Sequence, residues 1–370
     1  MIDLFLLAGE PSGDLQGAAL IEELLTLNPL LRIAAVAGPR MRKFPIICVE
    51  PMESLQVMGF VDVALALPKI GKLFFSLRRK ILELSPKAFV GIDYPGFNLR
   101  LHRSLKKHGF QGKLIHYICP TVWAWGKQRI PQMAETLDLL LTILPFEPAC
   151  FAGTKLQTEY VGHPLTHAIR RFPKDETFRQ RYSLSPTDKI LSIFPGSRSH
   201  EIQRNLPLQL EAARALQALD PTLQIVLSRA QAEGALTIPA QDTYPLMQNT
   251  HMALAKSGTV TLELALHGVP TVIQYVIKPL DLFLARRIFM IHLPYYGLPN
   301  LILQQELFPE LFGPNLTPEA LLKHAKSLWF NEEKRSSCQA GCQRLWSVLG
   351  DSRASQIASI HIIKSLLSII

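Results

Sequence analysis

The residues best suited to chemistry are acids and arginines set beside glycine-containing turns. Gly9-Glu10-Pro11-Ser12-Gly13-Asp14 follows an apolar run, Ile2 to Ala8, and Asp93 follows another, Ala88 to Ile92. The carboxyl ends of strands are where open α/β sheets bind ligands. Two carboxylates at the first turn favour hydroxyl groups or a proton transfer over a phosphate, and Ser12 or Asp14 can cap the helix expected from about Leu15 to Leu27. In the second half, Pro195-Gly196-Ser197-Arg198 leads into a helix that carries Glu201, and Ser257-Gly258-Thr259 leads into one that carries Glu263. Helix N–H groups at Gly258 and Thr259 suit a pyrophosphate, Glu263 suits the hydroxyls of a ribose, and the planar fork of Arg198 suits a diphosphate. Taken singly, each has a plainer alternative: a capped turn, a surface glutamate, a surface arginine. Two such loops at strand ends of one sheet favour the ligand reading.

These turns need a scaffold of buried strands. Ile33–Gly38, Val49–Met52, Ala88–Ile92, Leu114–Cys119, Asp138–Leu144 and Thr158–Pro164 read as strands of one parallel sheet, with helices between them. After a charged, proline-punctuated stretch from Arg170 to Asp188 the rhythm restarts with Lys189–Phe194, Leu223–Leu227, Met252–Lys256 and Pro270–Tyr275. The expectation is an α/β chain of two Rossmann-like domains, 1–168 and 169–350, with a last helix at about 351–370 that returns to the first domain.

At 48% hydrophobic and 19% charged residues, the 370-residue chain can bury a large core and carries no signature of disorder. Its net charge of +9 calls for an anionic partner, either nucleic acid or a membrane surface. The distribution favours lipid. Leu67, Ile70, Leu73, Phe74 and Phe75 lie among Lys69, Lys72, Arg78, Arg79 and Lys80, the mixture of an amphipathic segment lying in an interface. Leu282 to His292 is a second apolar and basic run. Nucleic acid would instead require basic and aromatic residues interleaved over one face. The five cysteines show no paired framework and read as free thiols, and no uncharged run reaches the ~20 residues of a spanning helix. The N-terminal run is too short for a signal peptide and lacks a basic flank. No phosphate loop of the kinase or dehydrogenase type is present. The oligomeric state stays open, a homodimer included.

In order along the chain, Leu7-Ala-Gly-Glu-Pro-Ser-Gly-Asp14, Val57-Met-Gly-Phe60, Gly91-Ile-Asp-Tyr-Pro-Gly-Phe-Asn98, His116-Tyr-Ile-Cys-Pro-Thr-Val-Trp-Ala-Trp125, Leu144-Pro-Phe-Glu147, Phe194-Pro-Gly-Ser-Arg198 with Glu201, Ser257-Gly-Thr259 with Glu263, and Leu298-Pro-Asn300 resemble the lipid-A-disaccharide synthase family. Pro11, Tyr94 and Gly96 depart from its pattern, Gly96 by removing a second carboxylate near Asp93. The resemblance implies a GT-B glycosyltransferase with its active site in a cleft between the domains. It would join UDP-2,3-diacylglucosamine to 2,3-diacylglucosamine 1-phosphate (lipid X) with inversion, giving the β-1,6 lipid A disaccharide 1-phosphate and UDP. It implies no metal and no cofactor. It makes Asp93 the first choice for the general base and Glu10 the second, with Ser12 and Asp14 orienting the acceptor or holding the turn. Arg198, Glu201, Ser257, Gly258, Thr259, Glu263 and Asn300 would bind the UDP portion. The amphipathic segment would then meet the acylated substrates at the cytoplasmic face of the inner membrane.

Overall fold

The computed structural model describes residues 2–55, 60–124, 126–277 and 293–367, and of residues 60–67 only the backbone. Residues 57–59 of the Val57–Phe60 motif, the Phe60 and Leu67 side chains, Trp125 and the whole Leu282–His292 run lie outside the described residues. The chain forms two compact units, residues 1–164 with 352–370, and residues 165–351.

The first unit runs β1 (Leu4–Ala8), α1 (Pro11–Leu27), β2 (Ile33–Ala37), β3 (Ile47–Pro51), α2 (Phe60–Leu84), β4 (Ala88–Ile92), α3 (Pro95–Lys107), β5 (Lys113–Tyr117), α4 (Arg129–Thr136), β6 (Leu139–Thr142) and β7 (Gln157–Tyr160). Its seven strands are parallel in the order β3-β2-β1-β4-β5-β6-β7. Strand order reverses between β1 and β4, which opens a crevice at their carboxyl ends. The strands are apolar throughout because both faces are covered. Leu4, Leu6 and Ala8 point to one core and Phe5 and Leu7 to the other, the two-residue alternation of a pleated strand. A helix at Ala354–Leu367 joins the first core through Ala358, Ile362 and Leu366, beside Leu20, Ile21 and Leu24 of α1. Arg353, just before it, pairs with Glu22 at 2.6 Å and with Glu23.

Helix α1 begins four residues earlier than expected. Pro11 supplies the preset φ of a first helical residue, with Glu10 extended at the N-cap. The glycines therefore serve close packing inside the helix: a Cβ on Gly17 would stand 2.6 Å from the Met41 sulfur. Asp14 lies within the helix and is buried. Its oxygens accept from the backbone N–H groups of Arg40 (2.9 Å) and Met41 (3.1 Å), and a Cβ on Gly38 would stand 2.4 Å from its carboxyl carbon.

Helix α2 corrects most of the membrane-facing expectation. Ile70, Leu73 and Phe74 pack against the core, together with the buried Leu77 and Ile81, because the apolar stripe of an amphipathic helix turns to the nearest sheet. Phe74 meets Phe97 edge to face at 5.5 Å. The outward set is smaller. Phe75 is 58% exposed, the Arg78 guanidinium lies over its ring, and Arg79 pairs with Glu83 at the surface. Among the described residues no helix is long and apolar enough to cross a membrane.

The second unit runs α5 (Pro164–Arg171), α6 (Phe178–Arg181), β8 (Lys189–Phe194), α7 (Ser199–Gln217), β9 (Leu223–Ser228), β10 (Leu236–Ile238), α8 (Thr243–Asn249), β11 (Thr250–Lys256), α9 (Thr259–Leu266), β12 (Thr271–Tyr275) and β13 (Glu310–Phe312). Its parallel order is β10-β9-β8-β11-β12-β13, so this sheet reverses between β8 and β11. Strands β10 and β13 are edge strands of three residues and carry no pattern that the sequence alone reveals.

Candidate active site

Each sheet's reversal carries one set of the residues singled out above. At the β1/β4 crevice of the first unit stand Glu10, at the N-cap of α1, and Asp93, directly after β4. Asp93 and Tyr94 both have left-handed backbones, φ 49° and 47°. Two consecutive non-glycine residues in that region cost on the order of 1 kcal/mol each or more, and such strain persists only where surrounding contacts enforce it. Asn98 is one enforcer. It is buried, and its amide donates to the carbonyls of Ile92 (3.3 Å) and Asp93 (2.8 Å). The Asp93 N–H donates to Tyr117 O at 2.9 Å. Gly9 admits the Tyr94 ring, because any Cβ there would lie 2.2 Å from it. Burial pushes the Asp93 carboxyl above the ordinary 3.8, a shift that makes it a better proton acceptor. Burial, followed by the Glu10 charge, likewise raises the Tyr94 phenol, so Glu10 faces the same turn. Ser12 is exposed on the first turn of α1, whereas Asp14 is buried and holds the 40–41 backbone.

Two further motifs end neighbouring strands of this sheet. Glu147 is buried, and its carboxylate accepts from Trp123 Nε1 (3.3 Å), Ile143 N (3.3 Å) and Leu144 N (3.0 Å). Burial raises it to about 7 against those three donors. It sets Trp123 edge-on to Phe146, centroids 5.5 Å apart.

In the second unit a cavity of about 350 Å³ lies at the β8/β11 reversal. Arg198, Glu201, Ser257, Gly258, Thr259 and Glu263 all line it, so residues far apart in sequence converge as expected. Gly196 has φ 131°, and a Cβ there would meet Glu201 at 2.6 Å; only glycine lets the loop fold over the start of α7. Arg198 is the N-cap of α7; its side chain is 74% exposed and its guanidinium stands 3.9 Å from a Glu201 oxygen. Thr259 opens α9 behind Gly258, presenting that helix's N-terminus to the cavity. Glu263 accepts from the Tyr244 hydroxyl at 3.0 Å, and burial raises its carboxyl.

Two expected ligand contacts are corrected. Both Glu201 oxygens are already engaged by the protein. One oxygen accepts from the N–H groups of Ser197 (3.1 Å) and Arg198 (3.4 Å), and the other pairs with Lys256 Nζ at 3.1 Å. Burial alone would raise the carboxyl; the ammonium and the N–H donors outweigh it and hold it below the ordinary range. Glu201 therefore shapes the loop and positions Lys256. Asn300 is wholly buried. Its amide donates to Phe308 O and Glu310 Oε1, both at 2.7 Å, and its oxygen accepts from Leu307 N and Phe308 N. Glu310 in turn holds Tyr296 N and Gly297 N at 2.8 Å, and Tyr296 O accepts from the Ser257 hydroxyl at 3.4 Å. Asn300 thus acts on the cavity through the 296–297 loop.

The sequence reading missed Lys256 and Arg229. Lys256 follows the apolar run Met252–Ala255 immediately before Ser257-Gly258-Thr259, which is a readable signal: a cation at a strand's carboxyl end. Arg229 follows β9 with φ 63°, and only the fold brings it to this cavity. Among the described residues no cluster of His, Cys, Asp or Glu is arranged to hold a metal ion.

Comparison with known proteins agrees with this geometry. The profile of the lipid-A-disaccharide synthetase family matches residues 4–361. The lipid-A-disaccharide synthase of Chlamydia pneumoniae is 37% identical over 98% of this chain and 62% of its own length, and that of Chlamydia muridarum is 40% identical over 84% of this chain and 53% of its own. The chain thus spans about three fifths of the length of these curated relatives. Among solved structures, a UDP-N-acetylglucosamine 2-epimerase from Listeria monocytogenes superimposes with a TM-score of 0.66 at 13% identity, covering 100% of this chain and 97% of that one. A likeness at that identity shows the fold alone, the GT-B class of paired Rossmann-like domains. Motif order, the two sheet reversals and the family match together place this chain in the lipid-A-disaccharide synthetase family.

Proposed function

We propose that this chain carries the transfer of a 2,3-diacylglucosamine unit from UDP to the 6-hydroxyl of lipid X. The observation that carries the reading is the placement of reactive groups at the two sheet reversals: carboxylates Glu10 and Asp93 at one, and at the other the cations Arg198, Arg229 and Lys256, which outnumber the carboxylates Glu201 and Glu263 beside them. Acceptor activation needs the first set and diphosphate departure the second. In the proposed step the acceptor O6 bonds to donor C1 as the C1–O bond to UDP breaks. The O6 proton passes to Asp93, and the diphosphate leaves with its new charge facing Arg198, Lys256 and the N-terminus of α9. Direct displacement of an α-linked donor gives the β-1,6 product. Glu263 and Tyr244 suit the ribose hydroxyls. Incubation of the purified protein with UDP-2,3-diacylglucosamine and lipid X should give disaccharide 1-phosphate and UDP in equal amounts by mass spectrometry. Release of UDP without disaccharide, or epimerisation of a UDP-sugar in place of transfer, would overturn the assignment in favour of another nucleotide-sugar enzyme.

Both substrates carry acyl chains, so the reading includes peripheral attachment to the cytoplasmic face of the inner membrane. Phe75, with Arg78 and Arg79 beside it, is the described part of α2 suited to that contact. Phe75→Ser should weaken binding to phosphatidylglycerol vesicles by roughly tenfold, the worth of withdrawing one aromatic side chain from an apolar phase, and leave the melting temperature near that of the wild type. Leu73→Ser should do the opposite and destabilise the fold by about 1–2 kcal/mol. Unchanged vesicle sedimentation of Phe75→Ser would remove that residue from the interface.

A further inference from the structure

A second cavity lies wholly in the first unit, between α3 and α4, and none of the residues already discussed accounts for it. It measures about 280 Å³ and is lined by Gly96, Arg100, Arg103, Gln128, Arg129 and Gln132, among others, none of them acidic. Arg100 and Arg103 are one helical turn apart on α3, so both side chains fall on one face. Arg129 reaches the same space from the first residue of α4. Arg100 and Arg103 are exposed and form no ion pair among the described residues. Two guanidinium groups on one helix face, Arg100 and Arg103, repel each other unless an anion sits between them, and Arg129 adds to the positive charge of the cavity. Their forked donors, with two amide side chains between, match the several oxygens of a phosphate.

We propose that this cavity binds the anomeric phosphate of the acceptor, a sugar phosphomonoester. The inference rests on the function proposed above and adds to it the group that recognises the acceptor. Its placement fits. Pro95 and Gly96 of the first turn of α3 line the cavity, and they follow Asp93 and Tyr94 directly in the chain. In a pyranose, C1 and C5 flank the ring oxygen, so a 1-phosphate and a 6-hydroxyl lie within one sugar's width of each other. A base for the hydroxyl and a pocket for the phosphate must then be neighbours, as they are here. The arrangement also gives a reason for selecting a phosphorylated acceptor: an acylated sugar lacking the phosphate would leave Arg100 and Arg103 uncompensated.

The test compares lipid X with its 1-hydroxy counterpart as acceptors for the full chain in neutral detergent micelles. The wild type should prefer the phosphorylated acceptor by about 10²-fold in kcat/KM, the scale of two charge-assisted hydrogen bonds. In Arg100→Gln/Arg103→Gln the preference should fall to within about threefold, mainly through a rise in KM. Both positions are at the surface, so folding is not at stake, and circular dichroism verifies it. An unchanged preference in the double variant overturns the proposal. So does loss of binding to phosphatidylglycerol vesicles with the preference intact, which would assign the arginines to lipid headgroups. If the wild type makes no disaccharide from either acceptor, the function proposed above fails, and calorimetry with glucosamine 1-phosphate decides the cavity separately. Binding by the wild type and loss in the double variant support the site; equal binding, or none by either protein, overturns it.

Discussion

Replacing Asp93 by Asn should lower kcat for disaccharide formation by roughly 10²–10⁴-fold, the usual contribution of a positioned general base. The substitution is well suited to isolate chemistry from folding. Asparagine is among the few residues that tolerate a left-handed backbone, so the turn at φ 49° can persist, and the bond from Asn98 goes to the Asp93 carbonyl, which the variant keeps. The pH dependence supplies a second readout. A base must be deprotonated to act, so the rate should fall as pH drops through its pKa. Burial lifts the Asp93 carboxyl, and the acid limb of kcat/KM should therefore lie above the ordinary 3.8. Asp93→Asn should abolish that limb. A variant with near-normal turnover, or one that retains the limb, would transfer the role to Glu10, which faces the same turn.

Lys256→Met should lower kcat/KM for the UDP-linked donor by about 10²–10³-fold, and it separates two functions of one side chain. The ammonium is mostly buried, 3.1 Å from a Glu201 oxygen, and it lines the cavity with Arg198. Truncating one partner of a buried, hydrogen-bonded charge pair costs about 2–5 kcal/mol, much of it from the charge left behind. Part of the loss should therefore appear as reduced stability, because Glu201 would keep its charge at the start of α7 with only the Ser197 and Arg198 N–H groups and the exposed Arg198 guanidinium, 3.9 Å away, opposite it. Lys256→Met/Glu201→Gln removes that stranded charge and should recover most of the melting temperature. It should not recover donor affinity, because the missing cation is also the one expected to oppose the diphosphate. Competition by UDP and a thermal melt, run on both variants, separate these outcomes. Recovery of both properties in the double variant would make Lys256 a structural residue only.

Much of this protein is legible in the chain itself. Uniformly apolar runs such as Leu4–Ala8 and Ala88–Ile92 can only be strands covered on both faces, and turns with glycine and a carboxylate or arginine at their ends mark the sites. The residues of the β8/β11 cavity were therefore recognisable one loop at a time. What the chain cannot display is anything that depends on which strands are neighbours. Adjacency of β1 with β4 and of β8 with β11 rests on hydrogen bonds between segments some eighty and sixty residues apart, and no local pattern encodes it. That adjacency brings Tyr94 onto Gly9 and Lys256 onto Glu201. It also decides which polar groups remain for a ligand. Asn300, Glu201 and Asp14 look available in sequence, yet packing commits each to backbone or partner groups, because a buried donor or acceptor must be satisfied. The same physics turned Ile70, Leu73 and Phe74 inward: an apolar stripe is covered by whatever surface is nearest, and only the fold decides that this is a sheet.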